Sequence, residues 1–482
     1  MSYVELHACS AFSFLRGGSF PEQLAEVAVE LEMPAMALLD RNGVYGAQRF
    51  SVAAREHNVR PIIGCELLME DGAVLPVLVE NRTGYKNLCE LLTKAHLRSE
   101  KGKCAVRWDE LPEFAKGLVA LFGSGSARVL RAGFGVAPKQ SCNGFATQNA
   151  FCAVTKVRNG EEALGPNRTG VSTRDARSPQ NASDRARFLI DVFGRENVFV
   201  EIQRHFIRGE ERVNRELIDL ARAHRLSLLA TNGVKYAKPY GREVLDVFTC
   251  IREHTHLDAA GKLLTQNAER YLKCDRQMRA IFADLPEAIE NTSRLAERLM
   301  FSLENLGYEF PEYPVPADHT MDSFLRTIVW FGAQQRYAAI STKVKHQLEE
   351  ELALITKLRF PGYFLIVWDI VNFCREHNIM VQGRGSAANS AVCYCLGITP
   401  VDPVENHLVF ERFLNESRKG WPDIDLDLPS GDRREAVIQE IYRRYGKRGA
   451  AMTANVVSYR GRSAAREIGK ALNFSPSIID RF

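Results

Sequence analysis

The sequence has no uninterrupted apolar run of about eighteen residues, no Cys-x-x-Cys pair, and no basic stretch leading into an apolar one at its start. These absences argue against a membrane-spanning helix, a compact zinc or dithiol motif and a secretory leader. Cysteines number 11, but scattered over 482 residues they suit reduced thiols of a cytoplasmic protein better than a disulfide framework. Cys393 and Cys395, between Val392 and Leu396, read as small core residues of a helix. Net charge is also small, +4 over the whole chain, too little by itself to argue for a polyanion partner. From Arg433 onward basic residues outnumber acids. That excess suits a phosphate-facing surface, although a solvated helix face carries the same pattern.

What is present is a globular composition, 45% hydrophobic and 25% charged, in a chain long enough for two or more domains. Short β-branched runs at 35–39, 61–63 and 75–79 predict strands, and helical periodicity at 21–31, 44–57 and 85–96 falls around them. The rhythm resumes with a strand at 198–202, a helix at 211–224 and a strand at 226–230. This α/β alternation predicts a layered sheet or barrel. The interruption at 131–183 is rich in Gly, Asn, Ser, Thr and Arg without periodicity, and is expected to be a loosely ordered insertion. From Asn267 the pattern turns helical, over 269–282, 288–299, 321–339 and 344–358. The expected domains are therefore 1–266, 267–453 and 454–482.

Polar groups gather where the first strands end. They are Leu6-His7-Ala8-Cys9-Ser10, Leu39-Asp40-Arg41-Asn42-Gly43, Gly64-Cys65-Glu66 and Gln203-Arg204-His205. The C-terminal ends of barrel strands are the face on which sites are built. A single histidine there is more often structural than a ligand. Taken together, residues 3–236 outside the insertion resemble the PHP (polymerase and histidinol phosphatase) family of distorted βα barrels, whose motifs hold a metal cluster. By that resemblance His7, Asp40, Glu66 and His205 stand at ligand positions. Cys9, Arg41, Asn42, Gly233 and Lys235 replace other histidines and aspartates of the pattern. Arg41 and Lys235 bring cations to a place where divalent metals need neutral or anionic donors. A degenerate site without PHP metals, kept as a scaffold, is the expectation.

The second constellation begins with a predicted strand at 379–382, after which Gly383-Arg384-Gly385-Ser386 is expected to open a helix. Glycines permit close approach of an anion, and a fresh helix end offers free N–H groups. Further on stands Trp421-Pro422-Asp423-Ile424-Asp425-Leu426-Asp427-Leu428. On one strand Asp423 and Asp425 share a face, roughly 6.5–7 Å apart, and such a pair can bracket two Mg²⁺ ions. An exposed edge strand with acidic alternation gives the same sequence. With Phe360-Pro361-Gly362-Tyr363, the Ser386-Ala387-Ala388-Asn389-Ser390 run and Tyr459-Arg460-Gly461-Arg462-Ser463, residues 267–482 resemble the palm of C-family DNA polymerases, most of all their error-prone branch. That resemblance implies an α/β chain: a PHP-type distorted βα barrel, a mostly helical segment, and a partial nucleotidyltransferase-type palm.

It also implies roles. Arg384, Gly385, Ser386 and Arg412 would hold a nucleotide; Asp423 and Asp425 would be catalytic and bind the two Mg²⁺ of a complete palm; Asp427 would be a neighbour. The family's third carboxylate lies later than any suitable residue here, so the chain is expected to be a truncated product or fragment, inactive alone. Partners implied are primer–template DNA, dNTP, a sliding clamp and the accessory proteins of damage tolerance, with no membrane. The competing readings are a PHP-type metal-dependent phosphoesterase and a non-catalytic DNA-binding or assembly fragment.

Overall fold

The computed structural model describes residues 2–123, 125–126, 181–304, 306, 312–415, 422–453 and 455–481. By their contacts they form two units, Met1–Leu306 with Tyr459–Phe482, and Gly307–Ser458. The expected insertion at 131–183 lies outside the described residues except for its last three. There Asn181 accepts a hydrogen bond from the Asp184 amide and caps a helix, Ala182–Phe193, so regular structure has already resumed.

The first unit is built on a seven-stranded sheet in chain order: β1 (Glu5–Ala8), β2 (Ala35–Arg41), β3 (Arg60–Leu68), β4 (Val74–Val79), β5 (Leu118–Phe122), β6 (Val198–Ile202) and β7 (Ser227–Ala230). β4 runs against both neighbours and every other pairing is parallel. The Ala8–Val234 bridge ties the end of β1 to the segment that follows β7, with Cys9 N on Val234 O at 3.0 Å and Val234 N on His7 O at 2.8 Å. The sheet is thereby curled into the expected distorted barrel. Both faces are buried, which is why the strands read as nearly continuous apolar runs. Along β2, Met36 and Leu38 join the core beneath the flanking helices. Ala35, Ala37 and Leu39 turn to the other face, where they meet Leu295, Ala296 and Leu299.

That contact moves a boundary. The helices Asp275–Ile281 and Pro286–Arg298, grouped by periodicity with the second domain, pack on the sheet of the first: Tyr3 N donates to Asp275 at 2.8 Å and Val4 N to Thr292 at 3.2 Å. The start of the run expected to be helical, 269–282, is extended instead. The Arg270 carbonyl accepts from Lys235 N at 2.9 Å, and Tyr271 bridges to Tyr236, so these residues answer to a strand neighbour rather than to their own periodicity. The helix Gly461–Ala471, expected as the start of a thumb, places Ala471 in a small core with Cys250 and Ala260 of the first unit.

The second unit is a helical cluster of Met321–Arg336, Thr342–Lys357 and Pro361–Glu376 around the short helix Ala391–Cys395. Leu325, Leu348, Phe364 and Val392 share its core, and Cys393 and Cys395 are buried there as expected of packed thiols. Beside it, β8 (Gln382–Arg384) pairs antiparallel with β9 (Asp425–Asp427). Among the described residues no helix is long and apolar enough to cross a membrane.

Candidate functional site

At the strand ends of the first unit lies a cavity of about 350 Å³ walled in part by His7, Arg41, Glu66, Glu201, Lys235 and Arg270. Glu66 is its hub. One oxygen takes His7 Nε2 at 2.9 Å and Lys235 Nζ at 3.0 Å; the other takes the Arg41 guanidinium at 2.6 Å. Burial alone would raise this carboxyl, but Lys235, His7 and Arg41 together hold it well below the usual carboxylate range. The other ring nitrogen of His7 meets Glu201 at 2.6 Å. Burial works against the imidazolium, yet Glu201 and Glu66 override it and lift His7 to about 9.

Of the four ligand positions expected from the sequence, the fold unites two. Asp40 alternates with Arg41 on β2 and so points to the opposite face. There its carboxylate accepts from Ser10 N at 2.9 Å, Ser13 Oγ at 2.7 Å and Gly46 N at 3.0 Å. His205 is fully buried and spent on Glu210, at 2.8 Å, and the Asn232 carbonyl, at 2.8 Å. Glu201 takes the place beside His7 instead, also receiving Thr231 Oγ1 at 2.6 Å and Gln203 Nε2 at 3.0 Å. Among the described residues no cluster of three or more His, Cys, Asp or Glu is arranged to hold a metal.

In the second unit the glycine-bearing strand and the acidic strand, far apart in the chain, form one antiparallel two-stranded ladder. Arg384 pairs with Asp425 and Gln382 with Asp427 across it, and Ser386 Oγ donates to the Asp423 carbonyl at 3.2 Å. Gly385 has φ +62°, a left-handed backbone suited to glycine, and a Cβ there would stand 3.6 Å from Asp425 Oδ2. The strand begins at Asp425, later than expected, because the backbone before it is claimed from elsewhere: Ile424 N donates to Tyr363 Oη at 3.0 Å and the Asp423 carbonyl takes Ser386. Alternation nevertheless persists, with Asp423, Asp425 and Asp427 exposed and Ile424 and Leu426 half-buried. Arg384, expected at a nucleotide, is paired with Asp427 at 2.6 Å. Arg412 is exposed on the 3-10 turn Phe410–Arg412, which neighbours the turn Gly385–Asn389.

The helix expected to open at Gly383–Ser386 does not. Gly385–Asn389 forms a 3-10 turn, and the α-helix starts at Ala391 with its leading amides already occupied. Ser390 Oγ accepts from Cys393 N at 3.1 Å, and the Glu351 carboxylate accepts from Ala391 N at 2.9 Å, Val392 N at 3.0 Å and Ser390 Oγ at 2.7 Å. A triphosphate would have to use the turn, not a helix end.

Glu351 is fully buried, and burial pushes its carboxyl up to about 7 against these donors. An acid raised from 4.5 in this way holds its proton more tightly folded than unfolded. Its favourable contribution is complete below about 4.5 and is lost as pH rises through about 7. Glu351→Ala should lower stability by about 2–4 kcal/mol by stranding buried donors. Urea titrations should also find that the fall in stability between pH 5 and pH 8 is smaller in the variant than in the parent.

Two family profiles match the chain: the PHP domain over residues 5–205 and the bacterial DNA polymerase III alpha NTPase domain over residues 323–482. The protein described as Error-prone DNA polymerase in Mycobacterium bovis is 39% identical along the whole of this chain. Its namesakes in Mycobacterium tuberculosis and Caulobacter vibrioides are 39% and 36% identical over 100% and 99% of it. Along its whole length the chain is similar to proteins described as Error-prone DNA polymerase. It covers 41% of the length of the two mycobacterial relatives and 39% of the third.

In this chain, three participants escaped the reading of motifs. Glu201 sat inside an apolar strand, and its only signal was a charge in a run otherwise fit for burial. Arg270 lay within a stretch read as helix. Glu351 left a clearer trace, an acid on the apolar stripe of Val344, Leu348, Leu352 and Ile355. The basic segment after Arg433 is partly neutralised by its own acids: Arg443 and Arg444 both bond Glu440, and Arg444 also bonds Asp369.

Proposed function

We propose that this chain carries the nucleotide-holding part of a DNA-directed DNA polymerase that joins dNTPs to a primer 3′ hydroxyl by a two-metal mechanism in damage-tolerant synthesis. The observation that carries the reading is the antiparallel strand pair in which Ser386 bonds the Asp423 carbonyl while Arg384 pairs with Asp425. Asp423 and Asp425 offer exposed carboxylate oxygens of the kind Mg²⁺ takes. Bound there, Mg²⁺ would supply activation of the hydroxyl and neutralisation of the triphosphate. The chain's own residues do the positioning: Gly385 lets phosphate oxygens approach the backbone, Ser386 offers a hydroxyl, and Arg412 and Arg384 offer cations. Arg384 would exchange Asp427 for phosphate. Primer–template DNA is the substrate partner, and a sliding clamp and damage-tolerance proteins are partners of the whole polymerase.

The 482-residue chain should bind a fluorescent dNTP in the presence of Mg²⁺ and fail to extend a primer, because two carboxylates alone hold and place the metals poorly. Nucleotide titration and a primer-extension gel check both. Absence of Mg²⁺-dependent nucleotide binding, or robust templated incorporation, would each contradict this account.

For the first unit we infer a scaffold without a divalent cluster. Glu66 is saturated by cations, and Asp40 and His205 are committed to other partners. This disfavours the phosphoesterase reading.

A further inference from the structure

We propose that the barrel cavity of the first unit is an anion site that takes a phosphate-class tetrahedral oxyanion, held by Arg270, Lys235 and Arg41 where the PHP family holds metals. The inference rests on the scaffold reading just given, and on the charges that face the cavity. Arg41, Lys235 and Arg270 are cationic; of the residues lining the cavity only Glu66 and Glu201 oppose them, while Glu210, outside the lining, also acts on Arg270. Even a neutral His7 leaves the balance positive, and its two carboxylate partners favour the imidazolium. The rest of the wall, including Val74, Pro76, Ser126, Gln203 and glycines, adds no acid among the described residues.

Arg270 is the sharpest sign. Its guanidinium donates to Gln203 Oε1 at 3.2 Å and to the Gly233 carbonyl at 3.2 Å, and among the described residues it has no carboxylate partner. Burial pushes Arg270 down, as expected of a cation removed from water without a bonded counter-ion. A planar fork of donors facing a cavity is suited to a tetrahedral oxyanion. Gly233, at φ +52°, allows this approach: a Cβ there would stand 2.8 Å from Arg270 Nη1. At about 350 Å³ the cavity sits at the small end of ligand pockets, which run from roughly 300 to 1,000 Å³. That size suits a free phosphate or the terminal phosphate of a mononucleotide, not a larger metabolite.

The test titrates the whole chain with inorganic phosphate at constant ionic strength, chloride replacing it in the control, by calorimetry and thermal unfolding. A parallel arm uses a nucleoside 5′-monophosphate, and a third uses Mn²⁺. Saturable phosphate binding that Arg270→Gln weakens by roughly tenfold or more, with unfolding in the absence of phosphate little changed, supports the site. Lys235→Gln gives a second reading should Arg270→Gln fold poorly. Tighter binding of the monophosphate with the same sensitivity to substitution makes the occupant a nucleotide terminus; equal or weaker binding makes it free phosphate. No phosphate effect beyond the chloride control overturns the proposal. So does saturable Mn²⁺ binding abolished by His7→Ala, which would also overturn the scaffold reading. Neither result touches the strand pair of the second unit, so the polymerase reading stands or falls separately.

Discussion

Asp425→Ala is expected to remove Mg²⁺-dependent dNTP binding by about 100-fold or more, measured by titration with a fluorescent dNTP. Residues that merely orient a metal ligand typically cost 10–100-fold when replaced, and here a ligand itself would be lost. Asp425 sits opposite Arg384 on the strand pair and beside Gly385, so its loss removes a charge at the point where turn and strand meet. Asp423→Ala should act in the same direction, because its side chain falls on the same exposed face. Asp427→Ala should do the reverse of harm to binding: it frees Arg384, whose partner it is, for phosphate. Near-parental affinity in the Asp425 and Asp423 variants would withdraw their assigned roles. The strand pair should survive all three changes, since its buried side is Ile424 and Leu426 packed on the core.

Glu66→Ala should lower the stability of the first unit by about 3–5 kcal/mol, a shift on the order of 10 °C in its thermal midpoint. The argument is one of imbalance. Glu66 is buried and accepts from His7, Lys235 and Arg41; without it those cations face one another across a cavity. Because the carboxyl is held well below its ordinary range, its contribution is present at neutral pH and is lost as pH falls through that low value. The parent and variant should therefore converge in acid. Removing a stranded cation should also repair part of the damage, so Arg41→Met in the Glu66→Ala background is expected to recover stability. Purely additive losses in that double-mutant cycle would show that no such coupling exists.

The barrel was legible because its strands are buried on both faces and its helices are amphipathic, so each period appeared undiluted between 21 and 96 and again from 198. The β8–β9 pairing was only half legible. Its two strands were marked by glycine and by aspartate, but the partner that closes the helix end, Glu351, comes from a helix some forty residues earlier in the chain, and no local pattern announces such a pairing. The same holds for the cavity. His7 and Glu66 stood out as polar residues at strand ends, while Asp40 stood out equally and belongs to the other face. Strand alternation could have separated Asp40 from Arg41; the motif obscured it. Arg270 could not have been found from periodicity, since a run that looked helical is held extended by Lys235 and Tyr236.

The three-residue ladder between β8 and β9 also sets how this region can vary. Which side chains of the acidic run look outward follows from the register of this ladder. A single residue inserted between Ile424 and Asp425 would shift it, and side chains alternate with a period of two. Such a slip would drive carboxylates into the apolar layer and set Leu426 in water. The chemistry of the acidic run therefore depends on a count of residues as strictly as on their identity.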